Sequence, residues 1–181
     1  MIRLMRFAVP VAFGAIVVGL ASSALIAADE KSTPVQLIPV KWTGYQEKVA
    51  SFKKAKLVIV DAWATWCGPC KENFPHLVEM HEKYADKGLA VVSLSLDDPE
   101  KPKKIAEAKA FLVEKKAVFT NLLLDESPDD AFDNLDINAI PAVFLYSPDG
   151  KLIERFTLDD PNNQFTYEQV EKKVRKLLSI D

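Results

Sequence analysis

This sequence has few cysteines and histidines and no excess of basic residues. Its 181 residues include two cysteines and two histidines, and the formal net charge is −3. Two cysteines allow one disulfide within the chain at most. The sequence has no basic stripe, which argues against nucleic-acid binding. No cysteine precedes Cys67, so the N-terminal region offers no site for lipoprotein-type acylation.

Charged residues are also missing from Phe7 to Ala28, a run of 22 residues that follows Arg3 and Arg6. A positive start, an apolar centre and small residues at the end are typical of a bacterial export signal. The run is also long enough to span a bilayer uncut, at about 1.5 Å per residue. Residues 1–28 are therefore predicted to be a signal peptide or an N-terminal membrane anchor, with a possible tether through 7–28. Either case predicts a periplasmic or other extracytoplasmic location, soluble after cleavage or anchored to the inner membrane.

The rest of the chain has the size of one domain. Residues 29–36 are polar and predicted to be a flexible lead-in, and residues 37–181 are predicted to form the globular domain. Without the two arginines of the first 28 residues, 21 basic and 26 acidic residues remain, a net charge of −5. This acidic balance also argues against a nucleic-acid partner.

Apolar runs and helical periodicities alternate along residues 37–181. Strands are predicted at 37–42, 57–64, 89–96, 120–125, 141–147 and 151–158. Helices are predicted at 45–54, from the cysteines to about residue 87, at 100–116, at 129–135 and after Thr166, where Thr166 and Gln169 form a capping box. This order predicts an α/β fold with a mixed sheet and helices on both faces.

The two cysteines, Cys67 and Cys70, lie in the segment WCGPC and allow three interpretations: a structural staple, half of a metal site, or a redox centre. A disulfide that closes so short a loop stabilises a fold by only about 2 kcal/mol. A domain of this length buries enough apolar surface without that contribution. The staple is therefore the weaker interpretation.

A zinc site would need the two cysteines together with His76 and His81. If residues 67–81 form one helix, Cys67 and His81 lie about 21 Å apart along its axis. Four zinc ligands must instead lie about 2.0–2.3 Å from one ion. The spacing therefore argues against a metal site, and we predict none.

The redox interpretation agrees with the local physics of the segment. The predicted strand ends near Ala64 and the helix begins near Cys67, which places that sulfur by unpaired amides and the positive end of the helix dipole. This environment favours the thiolate, the species that attacks disulfides. Cys70 lies one turn further on the same face, and Pro69 is tolerated in the first turn. Trp66 and Pro69, together with Trp63 unless it belongs to the core, are candidates for an apolar rim.

The segment VDAWATWCGPCK resembles thioredoxin, whose WCGPC it repeats letter for letter. Together with the export signal, WATWCGPCKENFP is most similar to exported thiol–disulfide oxidoreductases of the TlpA/ResA type. Ile140-Pro141 matches the cis-proline of that family, and Pro75 matches the proline of the active-site helix. The stretch 97–124 matches an inserted helix and strand. The resemblance implies a thioredoxin fold over about residue 37 to the C-terminus, a central mixed sheet flanked by helices.

The resemblance also implies roles for individual residues. Cys67 would be the exposed nucleophile that forms a mixed disulfide with a partner protein, and Cys70 would resolve it. Ile140 and Pro141 would bind an extended substrate strand beside the cysteines. Trp66, Gly68 and Pro69 would complete the substrate-binding surface, and no cofactor is implied.

Asp61 interrupts an apolar strand, where an ionised carboxylate is costly. Thioredoxins have an aspartate at the matching position, six residues before the first cysteine, and the resemblance implies an acid–base role toward Cys70. An alternative is that Asp61 lies at a bulge or strand end, solvated or bonded to backbone. Ser93 aligns with a position where a lysine often partners this aspartate, and Asn73 with a position where some relatives have glutamate.

The resulting function hypothesis is reduction of protein disulfides outside the cytoplasm, with electrons from a membrane thiol carrier. The reverse chemistry, an oxidase or isomerase, is disfavoured by Gly68-Pro69, since this dipeptide accompanies a reducing potential of about −270 mV. A peroxidase of the peroxiredoxin type is disfavoured by Thr65 and Trp66 and by the lack of a suitable arginine. A tethered docking module without catalysis stays open.

Overall fold

The computed structural model describes residues 34–159, 162 and 164–180. The predicted export segment at 1–28 and the first part of the lead-in, 29–33, lie outside the described residues. In the part of the chain that is described, no helix is long and apolar enough to cross a membrane.

Strands and helices alternate through most of this range. The strands are β1 (Ile38–Val40), β2 (Leu57–Trp63), β3 (Leu89–Ser95), β4 (Thr120–Leu124), β5 (Ala142–Tyr146) and β6 (Leu152–Phe156). The helices are α1 (Trp42–Ala50), α2 (Gly68–Tyr84), α3 (Pro102–Glu114), α4 (Pro128–Leu135) and α5 (Tyr167–Leu178).

The strands form one mixed sheet in the order β1-β4-β3-β2-β5-β6. The four strands β1, β4, β3 and β2 are parallel to one another, whereas β5 pairs antiparallel with both β2 and β6. The predicted insertion is present as α3 and β4, and β4 lies between β1 and β3. The predicted thioredoxin fold is therefore confirmed.

Strand β2 lies at the centre of the sheet and is buried at each of its seven positions. Its last residue, Trp63, packs against Phe74 of α2 and Phe111 of α3, with ring centroids 5.4 and 4.9 Å away. These aromatic contacts hold α2 and α3 on one face of the sheet. Trp63 therefore belongs to the core and not to an apolar rim at the surface.

Helix α1 covers the opposite face. Tyr146 of β5 stands opposite Val58 of β2, and its hydroxyl lies 2.9 Å from the hydroxyl of Tyr45 in α1. Because successive strand residues point to opposite faces, Val58 and Trp63 lie on different sides of β2. The prediction of helices on both faces of the sheet is confirmed.

The first strand and helix differ from the prediction. The strand ends at Val40 and not at residue 42, and Trp42 begins α1. The backbone N–H of Trp42 donates to Oε1 of Glu126 at 3.0 Å, and its ring stacks on Tyr45. Glu126 is 84 residues away in sequence, so a contact that local patterns do not encode starts this helix.

Two turns require glycine. Helix α2 is followed by a 3-10 turn, Ala85–Lys87, and Gly88 ends this turn with φ = +104°. Gly150, in the hairpin turn between β5 and β6, has φ = +88°, and a Cβ there would lie 2.9 Å from the Cβ of Ala50. Backbone strain and lack of space therefore both favour glycine at position 150.

Candidate functional site

Cys67 and Cys70 form a disulfide at the N-terminus of α2, with their Cα atoms 5.3 Å apart. Cys67 is the N-cap of the helix, and the backbone N–H of Cys70 donates to its Sγ atom at 3.2 Å. Pro69 lies in the first turn, where its missing N–H removes no helical hydrogen bond. The helix continues through Pro75 to Tyr84.

This position favours the thiolate of Cys67 once the disulfide is reduced. The first amides of a helix have no partner within the helix and carry a partial positive charge. One of them, that of Cys70, already points at the Cys67 sulfur. Such an environment in general lowers the pKa of a thiol and favours its attack on a disulfide.

The structure corrects the expectation that Cys67 is exposed. Its side chain is 5% exposed and that of Cys70 is 1% exposed. Cys67 is covered because its sulfur is bonded to Cys70 and lies 3.6 Å from the carbonyl oxygen of Ile140. A disulfide sulfur carries no hydrogen, so this approach is a van der Waals contact and not a hydrogen bond.

The loop before β5 lies directly beside the cysteines. The Ile140–Pro141 peptide bond is cis, as the resemblance implies, and Pro141 leads into β5, which pairs with β2. Ile140 is 9% exposed. The sheet therefore holds this loop and the N-terminus of α2 next to each other.

An exposed tryptophan lies next to the disulfide. Trp66 is 55% exposed, and Gly68 and Pro69 are also exposed. A large exposed aromatic ring beside a redox-type disulfide is a candidate contact for another protein. The structure thus brings together Trp66, Gly68, Pro69 and Ile140 around Cys67.

Asp61 lies inside β2 and not at a bulge or strand end. It pairs with Ser93 of β3 and Val143 of β5 and is 1% exposed. Burial raises the pKa of its carboxyl group from 3.8 to about 7. Its Oδ2 atom accepts a hydrogen bond of 2.7 Å from the hydroxyl of Tyr167, which lowers this pKa in part.

The other neighbours of Asp61 leave its charge uncompensated. Ser93 stands opposite Asp61, at the position where the resemblance to thioredoxin predicts a lysine in many members. The Ser93 hydroxyl donates to Oδ1 of Asn121 at 2.8 Å and not to Asp61. Oδ1 of Asp61 has no hydrogen-bond partner among the described residues.

A second buried carboxylate fixes the loop that precedes the cysteines. Asp97, just after β3, is 1% exposed. It accepts hydrogen bonds from the backbone N–H and the hydroxyl of Thr65, and from the hydroxyl of Ser95. The backbone N–H of Leu96 also donates to the carbonyl of Trp63 at 2.8 Å. These bonds hold the chain two residues before Cys67 in one position.

Sequence reasoning missed Tyr167, Asp97 and the role of Thr65. A weak signal exists for Asp97, because an acidic residue directly follows the apolar run 89–96. Tyr167 follows the capping-box residue Thr166, but nothing local indicates that it faces Asp61. Among the described residues, no group of three or more His, Cys, Asp or Glu side chains is arranged to hold a metal ion.

The fold and the site define a thioredoxin-fold protein with a CxxC disulfide at a helix N-terminus. Comparison with known proteins agrees with this class. The sequence model of the AhpC/TSA family matches residues 32–155. The chain belongs to this family.

Individual relatives agree with the resemblance to proteins of the ResA type. The chain is 27% identical to thiol-disulfide oxidoreductase ResA of Bacillus cereus over 124 residues, which cover 68% of this chain and 65% of the relative. The chain thus spans less than two thirds of that relative's length.

Solved structures show the same fold. The thioredoxin domain of a thiol-disulfide oxidoreductase from Bacteroides vulgatus has 27% identity and a TM-score of 0.50, covering 67% of this chain and 81% of that one. A thiol:disulfide interchange protein from Bacteroides sp. has 22% identity and a TM-score of 0.55, and the match covers 72% of this chain and 77% of that one.

Proposed function

We propose that this protein is a thiol–disulfide oxidoreductase that reduces disulfides in other proteins. The observation that carries the proposal is the Cys67–Cys70 disulfide at the N-terminus of α2, with the Cys70 amide on the Cys67 sulfur. The cis Ile140–Pro141 loop lies beside it and the exposed Trp66 adjoins it. The names of the ResA relatives support the same activity.

The reaction takes place in two thiol exchanges. In the first, the Cys67 thiolate attacks one sulfur of the substrate disulfide, forms a mixed disulfide and releases the other substrate sulfur as a thiolate. In the second, the Cys70 thiolate attacks Sγ of Cys67, closes the Cys67–Cys70 disulfide and releases the second substrate thiolate. The substrate gains two electrons, and the released thiolates take up two protons.

Asp61 accepts the proton of Cys70 before the second exchange. A carboxyl group with a pKa of about 7 exchanges protons readily near neutral pH, whereas an ordinary aspartate stays ionised there. The burial of Asp61 in β2 and its unpaired Oδ1 atom support this role.

Substrate binding is assigned to the surface around Cys67. The Ile140 backbone pairs with an extended segment of the substrate, and Trp66, Gly68 and Pro69 contact its side chains. The partners are proteins with a disulfide and a membrane thiol carrier that returns two electrons to the Cys67–Cys70 disulfide.

The N-terminal residues support a location outside the cytoplasm. Residues 1–28 direct export, 29–36 link them to the domain, and the domain occupies 37–181. Fractionation of cells that make the full chain is expected to place it in the periplasm or on the inner membrane. The mass of the recovered chain separates cleavage after about residue 28 from retention as a tether, and a cytoplasmic location would contradict the proposal.

The reduction potential of the Cys67/Cys70 pair tests the direction of the reaction. Purified protein equilibrated with thiol buffers of known ratio is expected to give a value near that of thioredoxin, about −270 mV. The expectation rests on Gly68-Pro69 between the cysteines, which is the thioredoxin pair. The oxidised fraction is read from the masses of alkylated chains.

Other results would point to the alternatives. A potential near −120 mV would mean that the dithiol is the stable form and that the protein donates disulfides. Rapid consumption of hydrogen peroxide by the reduced protein would indicate a peroxidase. An unchanged cellular phenotype with both cysteines replaced by serine would favour the docking module.

A further inference from the structure

Helix α5 places a tyrosine hydroxyl on the buried carboxyl group of β2. Tyr167 is the first residue of α5, is 4% exposed, and donates to Oδ2 of Asp61 at 2.7 Å across 106 residues of sequence. Thr166, directly before Tyr167, and Gln169, two residues after it, form a reciprocal capping box. The capping box fixes where α5 begins and therefore where the Tyr167 side chain enters the core.

The Tyr167 ring is held from two further sides. It stacks on the ring of His76 in α2 with centroids 5.6 Å apart and planes 20° apart. Phe165 packs against it at 5.7 Å. Since α2 also carries Cys67 and Cys70, Tyr167 connects the helix of the cysteines with the carboxyl group.

The groups around Asp61 give Tyr167 no competitor as a donor. Its strand neighbours are Val143 and Ser93, and Ser93 donates elsewhere. Among the described residues, Tyr167 is the ionisable group that acts on the pKa of Asp61. The next charged or titratable groups lie beyond its ring: His76 of α2 stacks on Tyr167, and Glu168 of α5 interacts electrostatically with His76. The ionised Asp61 carboxylate is therefore stabilised by one hydrogen bond.

We propose that Tyr167 is a positioning residue for the Asp61 carboxyl group and that, through this bond, helix α5 controls proton transfer from Cys70. The proposal rests on the proposed function, in which Asp61 accepts the Cys70 proton. Tyr167 itself takes no proton from Cys70 and holds the acceptor in its ionised form.

The sign of the effect follows from the two opposing influences on Asp61. Burial raises its pKa and the Tyr167 bond lowers it. Without the hydroxyl, the carboxyl group would stay protonated to a higher pH, and fewer molecules would hold an acceptor at pH 7. Loss of a hydrogen bond to a charged group corresponds to an upward shift of about one pH unit or more.

The test follows the two exchanges separately in the full-length protein. Reduced protein reacts with dithiobis(nitrobenzoate), which releases one coloured thiolate when Cys67 attacks and a second when Cys70 resolves the mixed disulfide. In Tyr167→Phe the second phase is expected to be about fivefold slower at pH 7, and its pH midpoint to rise by about one pH unit. The first phase is expected to keep its rate.

The protonation of Asp61 is read without any reaction. Infrared spectra of the oxidised protein show the carbonyl stretch of a protonated carboxyl group, and subtraction of the Asp61→Asn spectrum assigns the band. Tyr167→Phe is expected to move its titration midpoint upward by the same amount. Tyr45→Phe is the matched control, because Tyr45 is also buried and its hydroxyl also bonds one side chain, that of Tyr146.

The outcomes separate this proposal from the proposed function. An unchanged Asp61 titration in Tyr167→Phe, or an equal shift in Tyr45→Phe, overturns the positioning role. A second phase that Asp61→Asn does not alter overturns the control of Cys70. Absence of two phases in the wild type would instead refute the dithiol chemistry itself. If Tyr167→Phe fails to fold, His76→Leu serves as the second variant, because it removes the ring that stacks on Tyr167. This variant is expected to shift the titration midpoint of Asp61, and an unchanged midpoint would contradict the proposal.

Discussion

Replacement of Cys70 by serine is expected to stop turnover and to trap the protein on its substrate. The variant keeps Cys67 at the N-terminus of α2, so the first exchange proceeds, but no sulfur remains to attack the mixed disulfide. Well-oriented intramolecular groups have effective concentrations of about 10⁵ M or more. We therefore expect resolution to slow by at least about 1000-fold, since an external thiol must replace Cys70.

The measurement is a single turnover with a peptide that contains one disulfide. Mass spectrometry of the intact chain is expected to find the covalent peptide adduct on Cys70→Ser and free, oxidised protein in the wild type. Cys67→Ser is the matched control and is expected to form no adduct, because Cys70 is the less exposed residue, at 1% against 5% for Cys67. An adduct on Cys67→Ser and none on Cys70→Ser would reverse the two roles.

The predictable parts of this structure are those that short stretches of sequence encode. The run 57–64 contains only one polar residue, as a strand buried on both faces requires, and β2 is buried throughout. The Thr166–Gln169 capping box fixed the start of the last helix correctly. The WCGPC segment indicated the helix N-terminus at which the cysteines lie.

The parts that could not be predicted depend on contacts between distant residues. Trp42 was assigned to a strand but begins a helix, because Glu126 binds its amide. The place of β4 between β1 and β3 follows from strand pairing, which the apolar pattern of residues 120–125 does not specify. The sequence shows which side chains are present, but it does not show which distant residue each of them contacts.

The same limit applies to the candidate site. Asp61 stood out in the sequence because it interrupts an apolar run, and the structure places it in a central strand without a lysine beside it. Its hydrogen-bond donor, Tyr167, lies 106 residues away. The hydrogen bonds from Thr65 to Asp97 likewise cross 32 residues. An unpaired charge in an apolar strand can thus mark a site before its neighbours are known.

The burial of Asp61 has a cost that should be measurable in the stability of the protein. Its pKa rises from 3.8 to about 7 on folding, so the folded chain holds this proton more tightly than the unfolded chain. The group therefore favours the folded state most below pH 3.8, and this contribution is lost as the pH rises through 7. Between pH 5 and pH 8 the loss is about 2.5 kcal/mol.

Asp61→Asn is expected to remove this dependence, because the amide does not titrate and keeps an oxygen that accepts from Tyr167. Urea unfolding of the oxidised proteins from pH 5 to pH 8 is the measurement. The free energy of unfolding of the wild type, minus that of the variant, is expected to fall by about 2–3 kcal/mol over this range.

Asp149→Asn provides the control for the same substitution at an exposed position. The hydrogen bond from Ser147 lowers the pKa of Asp149, so this group is fully ionised above pH 5 and its removal is expected to leave the slope unchanged. If the curves of wild type and Asp61→Asn instead run parallel from pH 5 to pH 8, Asp61 is ionised throughout that range. Its carboxylate would then be too weak a base to take the proton of Cys70 efficiently near neutral pH, which would contradict the acid–base role assigned to it in the second exchange.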